Sequence, residues 1–187
     1  MSPLLRRWLL AGAALVWCWI IAYGLHAMFN HATTSGNVAD SPERWPAGTR
    51  LLRGGGFTIV MFVHPDCPCA HSSLTELAVV AADAAVTIDV VVTGSHAAGP
   101  MWDDAGRIAG ASRTLDDGRE AARFSAHTSG YTVVYDRAGV RRFAGGITGE
   151  RGHVGDNVGR DAVQRIVAGL DSAVRAHPVF GCSLGGS

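Results

Sequence analysis

The sequence predicts an α/β domain, a central mixed sheet flanked by helices, carried behind an N-terminal transmembrane helix. Three observations carry that expectation. The apolar run Phe57 to Val63 runs straight into His64-Pro65-Asp66-Cys67-Pro68-Cys69, and a helical pattern follows. A second β-branched run, Val86 to Val92, completes a strand-helix-strand unit, whose two strands should be parallel and whose crossover should be right-handed. Residues 8–29 contain no Asp, Glu or Arg and as a helix would extend roughly 33 Å, enough to span a bilayer.

Taken from the N-terminus, residues 1–7 hold Arg6 and Arg7 and are read as cytoplasmic, because positive residues stay on the cytoplasmic side. Residues 8–29 are read as an anchor. A cleaved signal peptide is the competing reading, but the run is long for such a segment, contains Trp8, Trp17 and Trp19, and lacks an Ala-x-Ala site. Cys18 inside it reads as a small hydrophobe. Residues 30–49 are polar and turn-forming without periodicity, which predicts a linker, and residues 50–187 form the folded domain.

Within that domain the strand 57–63 should be buried on both faces. In the helix after it, Leu74, Leu77, Ala78 and Ala81 share one face while Glu76 and Asp83 can point to water. Two starts compete for this helix. Cys67 could cap it with Pro68 at the first position, or Ser73-Leu-Thr-Glu76 could act as a capping box and start the helix later. Short helices are expected in 100–109 and 118–126, with 111–114 left unassigned. Tyr131 to Tyr135 and Val140 to Phe143 flank a turn and predict a β-hairpin. Val163, Ile166, Val167, Leu170 and Val174 recur at helical spacing and predict a long closing helix.

Composition narrows the function classes. The 187 residues carry a formal net charge of zero, which gives no electrostatic footprint for nucleic acid. All 16 basic residues are arginine, so no lysine can act as base or Schiff-base former. The cysteines are the chemistry-bearing residues. A thiol at the start of a helix lies among unpaired N–H groups that favour the thiolate, the nucleophilic form. A disulfide closed over the single residue between Cys67 and Cys69 would be strained and labile.

A strand-helix-strand unit with cysteines after its first strand, then a hairpin and a final helix, resembles the thioredoxin fold over roughly residues 50–176. The wording of the motifs resembles the membrane-anchored RedB-like proteins. It comprises Phe62-Val-His-Pro-Asp-Cys-Pro-Cys69, Thr128-Ser129-Gly130, Gly145-Gly146-Ile147-Thr148, Arg151-Gly152-His153 with Gly155-Asp156-Asn157, and Val179-Phe180-Gly181-Cys182. The resemblance implies a periplasmic thioredoxin-like module on the outer face of the inner membrane. Two departures from ordinary thioredoxins stand out: one residue, not two, separates the cysteines, and no proline occupies 128–130.

The expected activity is thiol-disulfide exchange on a protein substrate, with Cys67 as nucleophile and Cys69 or Cys182 as the resolving thiol. His64, Asp66, Pro68, Ser129, Gly130, Arg151 and His153 are the expected supporting residues. Asp156 and Asn157 read as caps of the last helix, and His71, flanking the cysteines, reads either as a proton shuttle or ligand or as a solvated side chain. No cofactor is needed for that chemistry. The alternative is a copper site of Cys67, Cys69, His64 and His153, since soft thiolates suit Cu(I). The partner would then be a respiratory or denitrification enzyme under maturation.

Overall fold

The computed structural model describes residues 2–36, 40–83, 86–94 and 99–185. It divides into residues 1–34 and 35–187. The first unit is the helix α1, Pro3–Thr33. Ser2 caps it by accepting the Leu5 N–H at 3.3 Å, and Pro3 supplies the fixed φ that suits a first helical position. None of its residues is buried, and it is long and apolar enough to cross a membrane, as an anchor or as a signal sequence.

The second unit is built on a six-stranded sheet. In chain order its elements are β1 (Thr58–Val63), α2 (Ala70–Asp83), β2 (Thr87–Thr93), α3 (Pro100–Ala105), β3 (Ala111–Asp116), α4 (Arg119–Arg123), β4 (Tyr131–Tyr135), β5 (Arg141–Gly145), α5 (Val158–Val167) and β6 (Ala176–His177). The strand order is β3-β2-β1-β4-β5-β6. β1 pairs parallel with β2, as Thr58 with Thr87, and antiparallel with β4, as Phe62 with Tyr131. This mixed sheet with helices on both faces is the thioredoxin-like architecture.

The two sheet faces alternate along each strand, as the two-residue period requires. Ile59, Met61 and Val63 meet Leu74, Leu77 and Val80 of α2 and Val163 and Ile166 of α5. Val60 and Phe62 face the other way, into a layer with Phe124, Tyr131 and Tyr135. Burying each such side chain stabilises the fold by roughly 1.5–3 kcal/mol.

Five features differ from the sequence reading. Residues 111–116 form a third parallel strand, paired Ile88 to Ala111 through Thr93 to Asp116. It is an edge strand with half of its side chains exposed, so it lacks the apolar run that marks β1 and β2. α2 starts at Ala70, between the two predicted starts. Glu76 is fully buried instead of facing water, while Ala78 is exposed and the Asp83 side chain lies outside the described residues. α5 stops at Val167: Gly169 adopts φ 76°, and Leu170, beyond it, is exposed.

The remaining difference lies at the edges of the domain. Ser41, Pro42 and Trp45, inside the predicted linker, dock on the sheet. Ser41 donates to the Phe124 carbonyl at 2.5 Å and accepts from Tyr131 at 2.7 Å. The Trp45 ring stands edge-on to Phe124 and Tyr135 at centroid distances of 5.4 and 5.3 Å. The C-terminal tail is likewise packed, with Val179 and Leu184 buried against the Phe62 face.

Candidate functional site

Every strand ending at Val63 must hand its chain to a helix, and the turn that does so places the thiols. The Cys67 N–H donates to the His64 carbonyl at 3.2 Å, and the Ala70 N–H to the Cys67 carbonyl at 3.0 Å, winding one turn before α2 begins. The Asp66 N–H donates to His64 Nδ1 at 3.2 Å, which holds that ring nitrogen as an acceptor. Pro65 is buried under Gly94 and Gly99. Cys67 is thereby enclosed, with 1% of its surface exposed, while Asp66 and Pro68 are exposed and Cys69 half-buried.

A second segment closes on the first. The Gly130 N–H donates to the Phe62 carbonyl at 2.7 Å, and the His64 N–H to Ser129 Oγ at 2.9 Å. Gly130 sits at φ 89° and a side chain there would meet Ser73 Oγ at 2.6 Å, so both backbone and space call for glycine. Ser129 is fully buried.

The C-terminal tail is the third segment. It runs antiparallel to residues 127–129: the Ser129 N–H donates to the Cys182 carbonyl at 2.8 Å, Thr128 bridges Ser183, and the Leu184 N–H donates to the His127 carbonyl at 2.9 Å. Arg151 clamps the same tail by donating to the Gly181 carbonyl at 2.6 Å. A Cβ at Gly181 would fall 1.9 Å from the Ser129 carbonyl oxygen, so the tail approaches this closely only with glycine there.

Cys67 and Cys182 thus meet across the site. Burial pushes the Cys67 thiol up, but hydrogen bonds from the Cys182 thiol and N–H, the Ser129 hydroxyl and the Ala70 N–H outweigh it and leave the thiol more acidic than usual. Cys182 moves the other way. Burial, its bond to Cys67 and the negative charge of Cys67 and Cys69 push it up to about 12, against the pull of Arg151. The arrangement is one thiolate and one proton donor. Ser129 serves both partners, accepting from His64 and donating to the sulfur.

The other sequence candidates are placed apart. His153 is exposed, with its ring 3.8 Å from Glu150. His71 bonds Asp104 at 2.8 Å, and Asp104 also holds Arg107 at 2.5 Å. Asn157 caps α5 by accepting the Arg160 N–H at 2.9 Å, and Asp156 binds Arg160 at 2.6 Å. Among the described residues no three His, Cys, Asp or Glu side chains are gathered as a group that could hold a metal ion.

Sequence reasoning missed Glu76. Its carboxylate accepts the Gly155 N–H at 2.6 Å and Arg160 at 2.8 Å, tying the loop after β5 to the helix that follows the cysteines. No local signal marks it, because both partners lie some eighty positions away. A cavity of about 560 Å³ opens between the 65–68 turn, His71 and α3, with Cys67 in its wall. Another, of about 540 Å³, lies around Phe57 and the 136–138 turn, at the end of β1 away from the thiols.

Solved structures with the same fold include a hypothetical protein from Sinorhizobium meliloti, 21% identical with TM-score 0.57, over 81% of this chain and 93% of that one. An uncharacterized conserved protein from Geobacillus kaustophilus is 17% identical with TM-score 0.59, over 83% and 93%. A secreted disulfide oxidoreductase from Mycobacterium tuberculosis aligns less well, at 22% identity and TM-score 0.46 over 62% and 83%. No protein-family model and no curated protein matches the chain.

Proposed function

We propose that this chain is a membrane-tethered thiol-disulfide oxidoreductase in which Cys67 is the nucleophile and Cys182, not Cys69, is its partner. The observation that carries the reading is the pairing of the tail with residues 127–129, which brings Cys182 up to Cys67, and the opposite shifts in acidity of the two thiols agree with it. The position of Arg6 and Arg7 in the first turns of α1, ahead of its uncharged run, and the RedB-like wording of the motifs, support a periplasmic placement of the domain.

The chemistry follows from the two protonation states. The Cys67 thiolate attacks one sulfur of a substrate disulfide, the substrate S–S bond breaks, and the departing sulfur leaves as a thiolate. With Cys67 now in a mixed disulfide, the anion that held the Cys182 proton is gone, while Arg151 still favours a negative charge there. Cys182 gives its proton to the departing thiolate and attacks the Cys67 sulfur, releasing the second substrate sulfur as a thiolate. Two electrons pass to the substrate and a Cys67–Cys182 disulfide remains, which an external thiol donor reduces to begin the next cycle.

Three single serine variants test this in a coupled disulfide-reduction assay. Cys67→Ser should lose more than 100-fold in rate, Cys182→Ser should stall as a mixed disulfide on Cys67, and Cys69→Ser should turn over. Peptide mapping of the oxidised protein should recover Cys67 bridged to Cys182. Full activity of Cys67→Ser sinks the mechanism, and a Cys67–Cys69 bridge sinks the choice of partner.

A further inference from the structure

Sulfur exchange needs the attacking sulfur, the central sulfur and the leaving sulfur close to one line, so the direction of Cys182 decides where substrate must lie. Cys67 lines the cavity of about 560 Å³, whereas Ser129, Arg151 and Cys182 do not. The neighbours of Cys182 in the tail, Gly181 and Ser183, line a separate cavity of about 370 Å³ with Thr128 and Arg151. Cys182 therefore approaches the Cys67 sulfur from one side, and the larger cavity opens on another.

Building on the redox reading above, we infer that this cavity is the substrate port, and that it selects polypeptide cysteines flanked by an apolar residue and a cationic one. Its walls include Pro68, Pro100 and Met101, the last 4% exposed, so an apolar side chain entering it is taken out of water. At its rim the Asp66 carboxylate is exposed, and the Asp104 carboxylate is bonded to His71 and Arg107. Asp66 thus gives the rim a negative charge that attracts a cation and repels an anionic thiol. Oxidised glutathione, with its several carboxylates and no apolar side chain, fits poorly on both counts.

In the resolving step Cys182 attacks Cys67 while the substrate sulfur departs into the cavity. The S–S bond between Cys67 and substrate breaks as the Cys67–Cys182 bond forms, and the substrate sulfur carries away the electron pair. The reverse reaction, in which substrate thiolate enters from the cavity and expels Cys182, uses the same line.

The test compares kcat/KM for three disulfides: the homodimer of acetyl-Leu-Cys-Arg-amide, the homodimer of acetyl-Ser-Cys-Glu-amide, and oxidised glutathione. The full-length protein in detergent should reduce the first at least tenfold faster than the other two. Asp66→Arg, at an exposed position, should reverse the order of the two peptides by a similar factor. Met101→Ala should erode the preference for leucine mainly through KM, and thermal melting of each variant verifies the fold. Equal rates for all three disulfides, or a preference that neither variant moves, overturns the port. Failure of the wild type to exchange even with dithiothreitol overturns the redox reading, and the port with it.

Discussion

Cys182 lies beside Cys67 although 115 positions separate them in the chain, held there by the bond from the Ser129 N–H to the Cys182 carbonyl at 2.8 Å, and its thiol and N–H make the Cys67 thiol more acidic. Removing the tail's thiol removes a donor that holds Cys67 as a thiolate. Cys182→Ala should therefore raise the pH midpoint for alkylation of Cys67 by iodoacetamide, read by mass spectrometry across pH 5 to 10. Ser129→Ala removes another donor and should move it the same way. A midpoint unmoved in both variants would show that the acidity of Cys67 owes nothing to this contact.

The signs of the two shifts also set a pH window for stability. A lowered folded value makes Cys67 stabilising above its unfolded value, with that contribution lost as pH falls through the folded value. A raised one makes Cys182 stabilising below its unfolded value, lost as pH rises toward about 12. The reduced protein should lose stability from pH 9 to pH 11 more steeply than Cys182→Ala, measured by urea denaturation. Parallel curves for the two proteins would contradict this.

Gly181 is the hinge on which the pairing depends. A methyl group there collides with the Ser129 carbonyl oxygen, and backbone on both sides of the clash cannot give way without breaking the bond from Ser129 N–H to the Cys182 carbonyl. Gly181→Ala should lower the effective concentration of Cys182 toward Cys67 by at least tenfold, read from the glutathione ratio at which their disulfide is half reduced. Gly185→Ala, where a Cβ meets nothing closer than the Ser183 hydroxyl at 3.8 Å, is the matched control.

What could be read in the sequence was what neighbours in the chain decide. Phe57 to Val63 is legible because a strand buried on both faces must be apolar throughout, and Asp136 to Gly139 because a tight turn demands those residue types. The thiols at the end of β1 were visible for the same reason. Ala111 to Asp116 was not, since an edge strand presents Ser112 and Arg113 to water and shows no period. Trp45 and Ser41 look like linker until Phe124 and Tyr131 are beside them. The competition between Cys69 and Cys182 is of this second kind, because what brings Cys182 to Cys67 is the pairing of the tail with residues 127–129.

Glu76 carries a load that its helical position conceals. Its carboxylate is wholly buried and bonded to Arg160 and to the Gly155 N–H, so its loss takes the acceptor from that N–H and leaves Arg160 paired with the exposed Asp156 and Asp161. Glu76→Ala should cost about 1–3 kcal/mol, the range for leaving a buried donor without its acceptor. Glu76→Gln keeps an acceptor for Gly155 and should cost less. Denaturant melts of both variants check the order, and a Glu76→Ala protein within 1 kcal/mol of wild type would show that the bridge only offsets its own desolvation.

Asp89 makes the opposite case, a buried carboxyl that the fold tolerates at a cost. Burial raises its pKa above the usual carboxylate range, against the pull of Thr114, Ser112 and Arg50, while Glu120 adds to the rise. Its Oδ1 has no hydrogen-bond partner among the described residues, and Thr114 Oγ1 donates to Oδ2 at 3.2 Å. A raised folded value means that the stabilising contribution is complete below the unfolded value, near pH 4, and is lost as pH rises through the folded one. At neutral pH the group is therefore a liability, and Asp89→Asn, which cannot ionise, should gain about 1 kcal/mol there, roughly 2–4 °C in melting temperature for a domain of this size. The advantage should shrink as pH is lowered toward 4, where wild-type Asp89 is itself protonated. Calorimetry at pH 4.5 and pH 7.5 decides it: an equal difference at both values would mean that the charge of Asp89 is not what costs stability.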